Sequence, residues 1–155
     1  MCNPRDEYPQ ERWITVGGLV DETAASLRIV GDDLVPDEIT DILGFPPTIG
    51  RKKGDKRQGK NTKKIYTAPT GIWNLSSPRG SGDLESHIRW LFEVIPSDVE
   101  IWKSLACRFE LDLFCGLFLD DWNRSVLLDS PTLLFLGERG IDLTFDIYSP
   151  CTEDE

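Results

Sequence analysis

Alternating and helically spaced apolar residues divide the chain into a short series of elements. In Ser26-Leu27-Arg28-Ile29-Val30, Leu27 and Ile29 share one face while Ser26 and Arg28 share the other, which predicts a strand over about 24–30. Gly31-Asp32-Asp33 then turns the chain toward a helix over 36–43. Pro36 opens that helix where a missing N–H costs nothing, and Asp37 and Glu38 meet the positive end of its dipole. Ile39, Ile42 and Leu43 supply an apolar stripe, and Gly44 with Pro46-Pro47 stops the helix. Further on, Lys64-Ile65-Tyr66-Thr67 and Ile72-Trp73-Asn74-Leu75 flank Ala68-Pro69-Thr70-Gly71, the pattern of a hairpin with a four-residue connection.

The second half is more apolar. Over 84–95, Leu84, Ile88, Trp90, Leu91, Phe92, Val94 and Ile95 cover more than half of a helix circumference, leaving Glu85, Ser86, Arg89 and Glu93 as the polar stripe. Ser97-Asp98-Val99-Glu100 has the form of a capping box opening another helix to about Ala106. A strand follows over 108–118, then the turn Asp120-Asp121-Trp122-Asn123. Ser130-Pro131 caps and starts a last helix ending at Gly140, and Ile141–Tyr148 alternates as a final strand. Near the N-terminus, Arg12-Trp13-Ile14-Thr15-Val16 reads as a short edge strand ended by Gly17-Gly18.

From about residue 24 the order is β-α-β-β-α-α-β-α-β. Counting the two central helices as one unit, the first six elements have the β-α-β-β-α-β order of a ferredoxin-like split fold. The expected architecture is an α+β two-layer sandwich. It has a mixed, mostly antiparallel sheet, helices on one face and a C-terminal α-β extension. Residues 1–11 read as a flexible arm, 12–150 as one domain and 151–155 as an acidic tail.

Length and charge narrow the picture. At 155 residues the chain is one domain's worth and long enough to bury a core without disulfide or metal. The opening residues lack an apolar stretch and no run is long enough to span a bilayer, so a cytoplasmic location and no membrane partner are expected. Net charge is −10, yet residues 51–64 hold eight of the 17 basic residues against one acid, Asp55. Such a block self-repels, so 51–64 is expected to be a mobile, solvated loop. Its functional reading is an anion contact through Lys52, Lys53, Lys56 and Arg57. Nucleic acid is the less favoured ligand, because 26 acids elsewhere repel it and no aromatic residue lies within 51–64 to stack a base.

Strand parity identifies a second candidate surface. In 108–118, Phe109, Leu111, Leu113, Cys115 and Leu117 share the apolar parity, and in the last strand Leu143, Phe145 and Ile147 do. Those sets should face the helices. The opposite parities carry Glu110, Asp112, Phe114 and Phe118, and Asp142, Asp146 and Tyr148. If the two strands are neighbours, the open face is acidic with aromatic content. That composition fits a solvated face, or a docking surface for a basic partner. A carboxylate-held divalent cation is the weaker third reading, since no spacing matches a metal motif.

Other chemistry finds little support. The phosphate-cradling glycine motifs, the nucleophile elbow and H-E-x-x-H are all absent. His87, the sole histidine, falls in an apolar helical arc and reads as a packed, hydrogen-bonded core residue rather than a general base. The four cysteines are scattered, so no zinc site, metal or cofactor is expected, and Cys115 reads as a small core residue. Turn chemistry accounts for Asp32-Asp33 and Asp120-Asp121. Ser77-Pro78-Arg79-Gly80-Ser81-Gly82 reads as the loop before a capped helix start.

Several of these residues recur in a known pattern. Leu27-Arg28-Ile29 with Gly31, Pro36-Asp37-Glu38-Ile39, Leu43-Gly44 and Pro47-Thr48 resemble the opening of a bacterial family called domain of unknown function 4279. Lys53-Gly54-Asp55, Gly71-Ile72-Trp73-Asn74-Leu75, Leu84-Glu85 leading to Trp90-Leu91, Leu111-Asp112-Leu113-Phe114-Cys115 and Leu143-Thr144-Phe145-Asp146-Ile147-Tyr148 continue the resemblance over 24–148. The resemblance implies a small stand-alone bacterial domain with no assigned activity, hence no catalytic residues to carry over. This chain departs from the pattern at Val35, where an acidic or hydroxyl residue would cap the helix, and in the long basic insert 51–64. The expectation is a non-enzymatic binding domain, in the manner of an immunity protein that neutralises a basic toxin. The rival is a phosphate-ligand or nucleic-acid binder using 51–64, with hydrolysis as its catalytic variant.

Overall fold

A computed structural model describes residues 17–20, 22–78, 83–96 and 98–149. The arm 1–11, the strand expected over 12–16, Arg79–Gly82 of the glycine loop and the tail 151–155 lie outside the described residues. In chain order the elements are β1 (Glu22–Gly31), α1 (Pro36–Leu43), β2 (Ile49–Arg51), β3 (Lys56–Gln58), β4 (Ile65–Thr67), β5 (Gly71–Ser76), α2 (Leu84–Val94), α3 (Val99–Ala106), β6 (Glu110–Phe118), α4 (Ser130–Glu138) and β7 (Asp142–Tyr148).

Alternation in β1 organises the sheet. Leu27 and Ile29 have no solvent exposure, while Ser26 and Arg28 between them are half-buried on the other face. Antiparallel pairing sets Leu27 beside Leu75 and Leu113, and Ile29 beside Trp73 and Leu111. The apolar parity therefore continues across three strands as one buried layer. The five-stranded sheet has the order β2-β5-β1-β6-β7, antiparallel throughout except for the parallel β6–β7 pair, whose connection carries α4. The fold is thus α+β, with four helices and a mixed sheet among the described residues. With the small hairpin β3–β4 left out, the elements up to β6 run β-α-β-β-α-α-β.

The apolar layer is closed by the helices. Ile39 and Leu43 of α1, Leu84, Ile88 and Leu91 of α2, and Trp102 and Leu105 of α3 join the sheet residues in one core. The Trp73 indole N–H donates to Thr40 Oγ1 at 3.1 Å, so the one polar atom of this buried ring is satisfied by α1. Edge-to-face contacts of Phe92 with Trp102 and Phe135 tie α2 to α3 and α4. Cys115 is fully buried in the layer, and burial pushes its thiol up to about 12. A buried, protonated thiol packs as a small apolar side chain.

Helix α1 starts and stops as its residues dictate. Pro36 occupies the first turn, Val35 at the N-cap makes no side-chain cap, and Gly44 adopts φ +69° to end the helix with its N–H on Thr40 O at 2.7 Å. Ile42 departs from the expected stripe: it is 40% exposed, because the core lies against Ile39 and Leu43. The other caps sit one residue off the expected serines. Asp98 Oδ1 accepts from Glu100 N at the start of α3, and Asp129 Oδ1 accepts from Thr132 N at α4. A carboxylate at that position adds its charge to the helix dipole.

Two expectations about residues 49–75 are corrected. Ile65–Thr67 does not pair with Ile72–Leu75; β4 pairs with β3 in a separate two-stranded sheet, while β5 lies between β1 and β2. The basic segment is accordingly a hairpin rather than an irregular loop. Lys52 N donates to Asp55 Oδ2 at 2.8 Å, while Gly54 N and Ala68 N close the hairpin base on Ala68 O and Asp55 O, each at 2.8 Å. These local bonds hold extended pairing despite the charge repulsion.

The packing of α1 has a direct test in denaturant melts. Ile39→Ala is expected to cost about 2–5 kcal/mol of stability by leaving a cavity, whereas Ile42→Ala costs less than about 1 kcal/mol. Equal costs would contradict the described packing.

Candidate functional site

The face of the sheet away from the helices is built by the even-numbered residues of β1, β5, β6 and β7. Across its middle run Asn74, Arg28, Asp112 and Asp142, each opposite the next in the strand pairing. The neighbouring row is Ser76, Ser26, Phe114 and Thr144. At one end Glu22, Phe118 and Tyr148 lie side by side, and at the other Glu110 lies opposite Val30. The parallel, in-register β6–β7 pair thus brings together all seven residues that parity assigned to this face.

Their surroundings differ sharply. Phe118 and Tyr148 stack with ring centroids 4.7 Å apart and planes 7° from parallel. Between Phe118 and the sheet stands Gly116, where an added Cβ would lie 3.3 Å from the Phe118 ring; the missing side chain lets the ring lie close. The Tyr148 hydroxyl donates to Asp146 Oδ2, and this bond to a carboxylate holds the phenol above its ordinary pKa. Phe118 and Tyr148 are exposed with Glu22 beside Phe118 and Asp146 bonded to Tyr148, while the exposed Glu110 and Asp142 lie farther along the face.

Asp112 is engaged otherwise. Arg28 Nε donates to Asp112 Oδ2 at 3.0 Å, with Nη2 on the same oxygen, and the guanidinium lies 4.2 Å over the Phe114 ring. The Arg28 and Asp112 side chains keep only 33% and 17% exposure. This pair fixes the centre of the face and neutralises one of its carboxylates. The negative groups left to the solvent are Glu110, Asp142, Asp146 and, on β1, Glu22. Sequence reasoning assigned no role here to Arg28 or Glu22. Their parity relative to Leu27 was legible; what could not be read was that β1, rather than the hairpin strands, is the neighbour of β6.

Asn74 completes the polar row. Its Nδ2 donates to Ser76 Oγ at 3.3 Å, and Ser76 Oγ lies 2.8 Å from Ser26 Oγ. Asn74 Oδ1 and Asp112 Oδ1 are buried without a hydrogen-bond partner among the described residues.

The anion candidates do not converge. Lys53 is ion-paired with Asp32, and its hydrogen bond to that carboxylate holds Asp32 below the ordinary range. Lys56 and Arg57 are successive residues of β3, so they point to opposite sides of the hairpin. Arg57 instead meets Lys64 around Tyr66, at 5.5 and 5.3 Å from the ring centroid. Nearly the whole hairpin is exposed.

His87 is buried in α2 with Nδ1 2.9 Å from Ser77 Oγ, a partner that sequence reasoning did not identify. Both residues are buried, and His87 Nε2 has no hydrogen-bond partner among the described residues. The arrangement locks β5 to α2 and is that of a packed core histidine. At the start of α2, Asp83 caps Ser86, whose hydroxyl and N–H hold the Asp83 carboxyl below the ordinary range. No group of three His, Cys, Asp or Glu side chains among the described residues is placed to hold a metal ion. No helix there is long and apolar enough to cross a membrane.

Comparison with known families decides what this architecture belongs to. Residues 21–150 match the family model described as Domain of unknown function (DUF4279). The chain belongs to that family. No curated protein and no solved structure matches it. The DUF4279 match takes in β1 through β7, so the helix-covered core and the open face both lie within the family domain, and so does the basic hairpin.

The Arg28–Asp112 pair gives the face its rigidity, with a measurable consequence. Arg28→Met is expected to destabilise the fold by about 1–3 kcal/mol in urea melts, because Asp112 is left largely buried without its cation. Adding Asp112→Leu is expected to recover most of that loss; no recovery would show that the pair is not the relevant interaction.

Proposed function

We propose that this chain is a non-enzymatic protein-binding domain that docks a basic partner on its open sheet face, in the manner of a cytoplasmic bacterial immunity protein neutralising a toxin or effector. The observation that carries this reading is the exposed Phe118–Tyr148 stack beside Glu22 and Asp146, with Asp142 and Glu110 farther along the same helix-free face. Aromatic anchors supply apolar contact area, and surrounding charge of one sign steers a partner of the other. Rigid strands hold both in place, so little ordering entropy is lost on binding. Asp112 belongs to the support of this face, since Arg28 already occupies it.

The test is capture from lysate of the native host, followed by binding kinetics at two salt concentrations. A basic protein is the expected partner. Asp142→Lys with Asp146→Lys is expected to slow association at least tenfold at low salt, and Tyr148→Ala to speed dissociation. A partner whose binding ignores both changes contradicts the assignment of the face.

A second reading rests on the hairpin. Arg57 and Lys64 flank Tyr66 on a projecting two-stranded ribbon, an arrangement suited to phosphates of a nucleotide or nucleic acid, with or without hydrolysis. It predicts binding to single-stranded RNA that falls steeply with salt and is lost when Lys52, Lys53, Lys56 and Arg57 become Ala. Absent or salt-independent binding rules it out.

A further inference from the structure

Strand β7 is the outermost strand of the sheet beyond β6 among the described residues, and its outer edge offers unpaired backbone groups to solvent. Edges of this kind are commonly guarded by charged side chains, Pro or a bulge. β7 has no Pro or bulge and its charges are two aspartates on the open face: Asp142-Leu143-Thr144-Phe145-Asp146-Ile147-Tyr148 pairs with β6 without a break. Two of its helix-side residues are also uncovered, while Leu143 packs against the core. Phe145 and Ile147 are 41% and 61% exposed, although their parity neighbours on β6, Cys115 and Leu117, are buried.

The helix that leads into β7 is apolar on more than its core side. In α4, Leu136 faces the core and Phe135 packs against Phe92 of α2. At 100° per residue, Leu133 lies 60° from Leu136, on the side turned away from α2. Leu133 and Leu134 are exposed, and an added Cβ at Gly137 would meet nothing within 4 Å. Both the edge strand and the helix before it thus leave apolar side chains exposed.

The order of residues in β7 says what fits its edge. Side chains on one face must meet side chains on the same face, so a second β7 pairing antiparallel can be centred only on a residue. Centred on Thr144, the pairing sets Asp142 opposite Asp146; centred on Asp146, it sets Asp146 opposite itself. Both oppose like charges, and centring on Leu143 or Ile147 pairs only three residues of each strand. Centred on Phe145, it sets Phe145 on Phe145, Leu143 on Ile147, Asp142 on Tyr148 and Thr144 on Asp146. This register opposes no two charges and joins apolar to apolar on the helix side. We propose that two copies of this chain associate through β7, antiparallel about a two-fold axis at Phe145, fusing two five-stranded sheets into one of ten. The contact is isologous, so it closes as a dimer. It goes beyond the docking role of the open face and does not rest on it.

Sedimentation and light scattering of the full chain test the proposal. A dimer is expected at about 50 μM, in the range of ordinary micromolar association. Each copy carries −10, so the dimer tightens as salt rises, the reverse of docking to a basic protein. Phe145→Lys places two like charges at the axis and is expected to weaken association at least tenfold. Thr144→Lys faces Asp146 of the second copy only in this register, and is expected to tighten it about fivefold. All of these side chains are exposed or half-buried, and unchanged thermal melts of dilute protein verify that the variants fold. A full chain that stays monomeric overturns the proposal, as does one that dimerises only after residues 1–16 are deleted, since another occupant then holds the edge. A dimer indifferent to both substitutions overturns the register.

Discussion

Everything in this fold depends on which way β1 faces. Leu27 and Ile29 are sealed between the sheet and the helices, and the strands on either side are locked to them residue by residue. A slip of one residue would carry Arg28 into the core and Leu27 into solvent. The cost of burying an unpaired guanidinium makes that slip prohibitive. One strand's alternation thus dictates the inward layer of Trp73, Leu75, Leu111 and Leu113, and with it the outward layer of carboxylates and aromatics.

The outward layer is held by interactions that the core does not supply. Arg28 sits at its centre, bonded to Asp112 and laid over Phe114, so a cation organises a surface whose rim is acidic. The rim carries the exposed charge and the Phe118–Tyr148 stack. The opposite charge is set apart on a hairpin that contributes nothing to the core of buried residues. The residues that build the core and those that carry the exposed charge are therefore different. Substitutions on the rim or the hairpin can change the surface charge while leaving the core that folds the chain intact.

Much of this was legible in the sequence because it follows from local rules. Pro36 and Gly44 bound α1, the parity of β6 divides core from surface, and His87 in an apolar arc announces a packed histidine, whereas the apolar parity of β7 leaves Phe145 and Ile147 exposed. The hairpin was not legible. Residues 51–64 have the charge density of a loop, and the turn bonds around Asp55 and the pairing of β3 with β4 outweigh that repulsion. Nor was the neighbour of β6: strand order is a tertiary property, and without it Arg28 and Glu22 could not be placed on the acidic face. The caps were misplaced by one residue, because serine and aspartate stand side by side at Ser97-Asp98 and aspartate precedes serine at Asp129-Ser130. For α4, an almost uninterrupted apolar run hides which side is buried, and two of its leucines remain outside.

The central claim is that the helix-free face of the sheet is the surface this domain uses. Hydroxyl-radical footprinting of the chain, alone and with its captured basic partner, measures that most directly by following oxidation of individual aromatic side chains. The account predicts that Phe118 and Tyr148 are readily oxidised in the free chain and become protected in the complex, while Tyr66 on the hairpin keeps its reactivity. Protection confined to Tyr66 or to the helix layer, with Phe118 and Tyr148 unchanged, would contradict it.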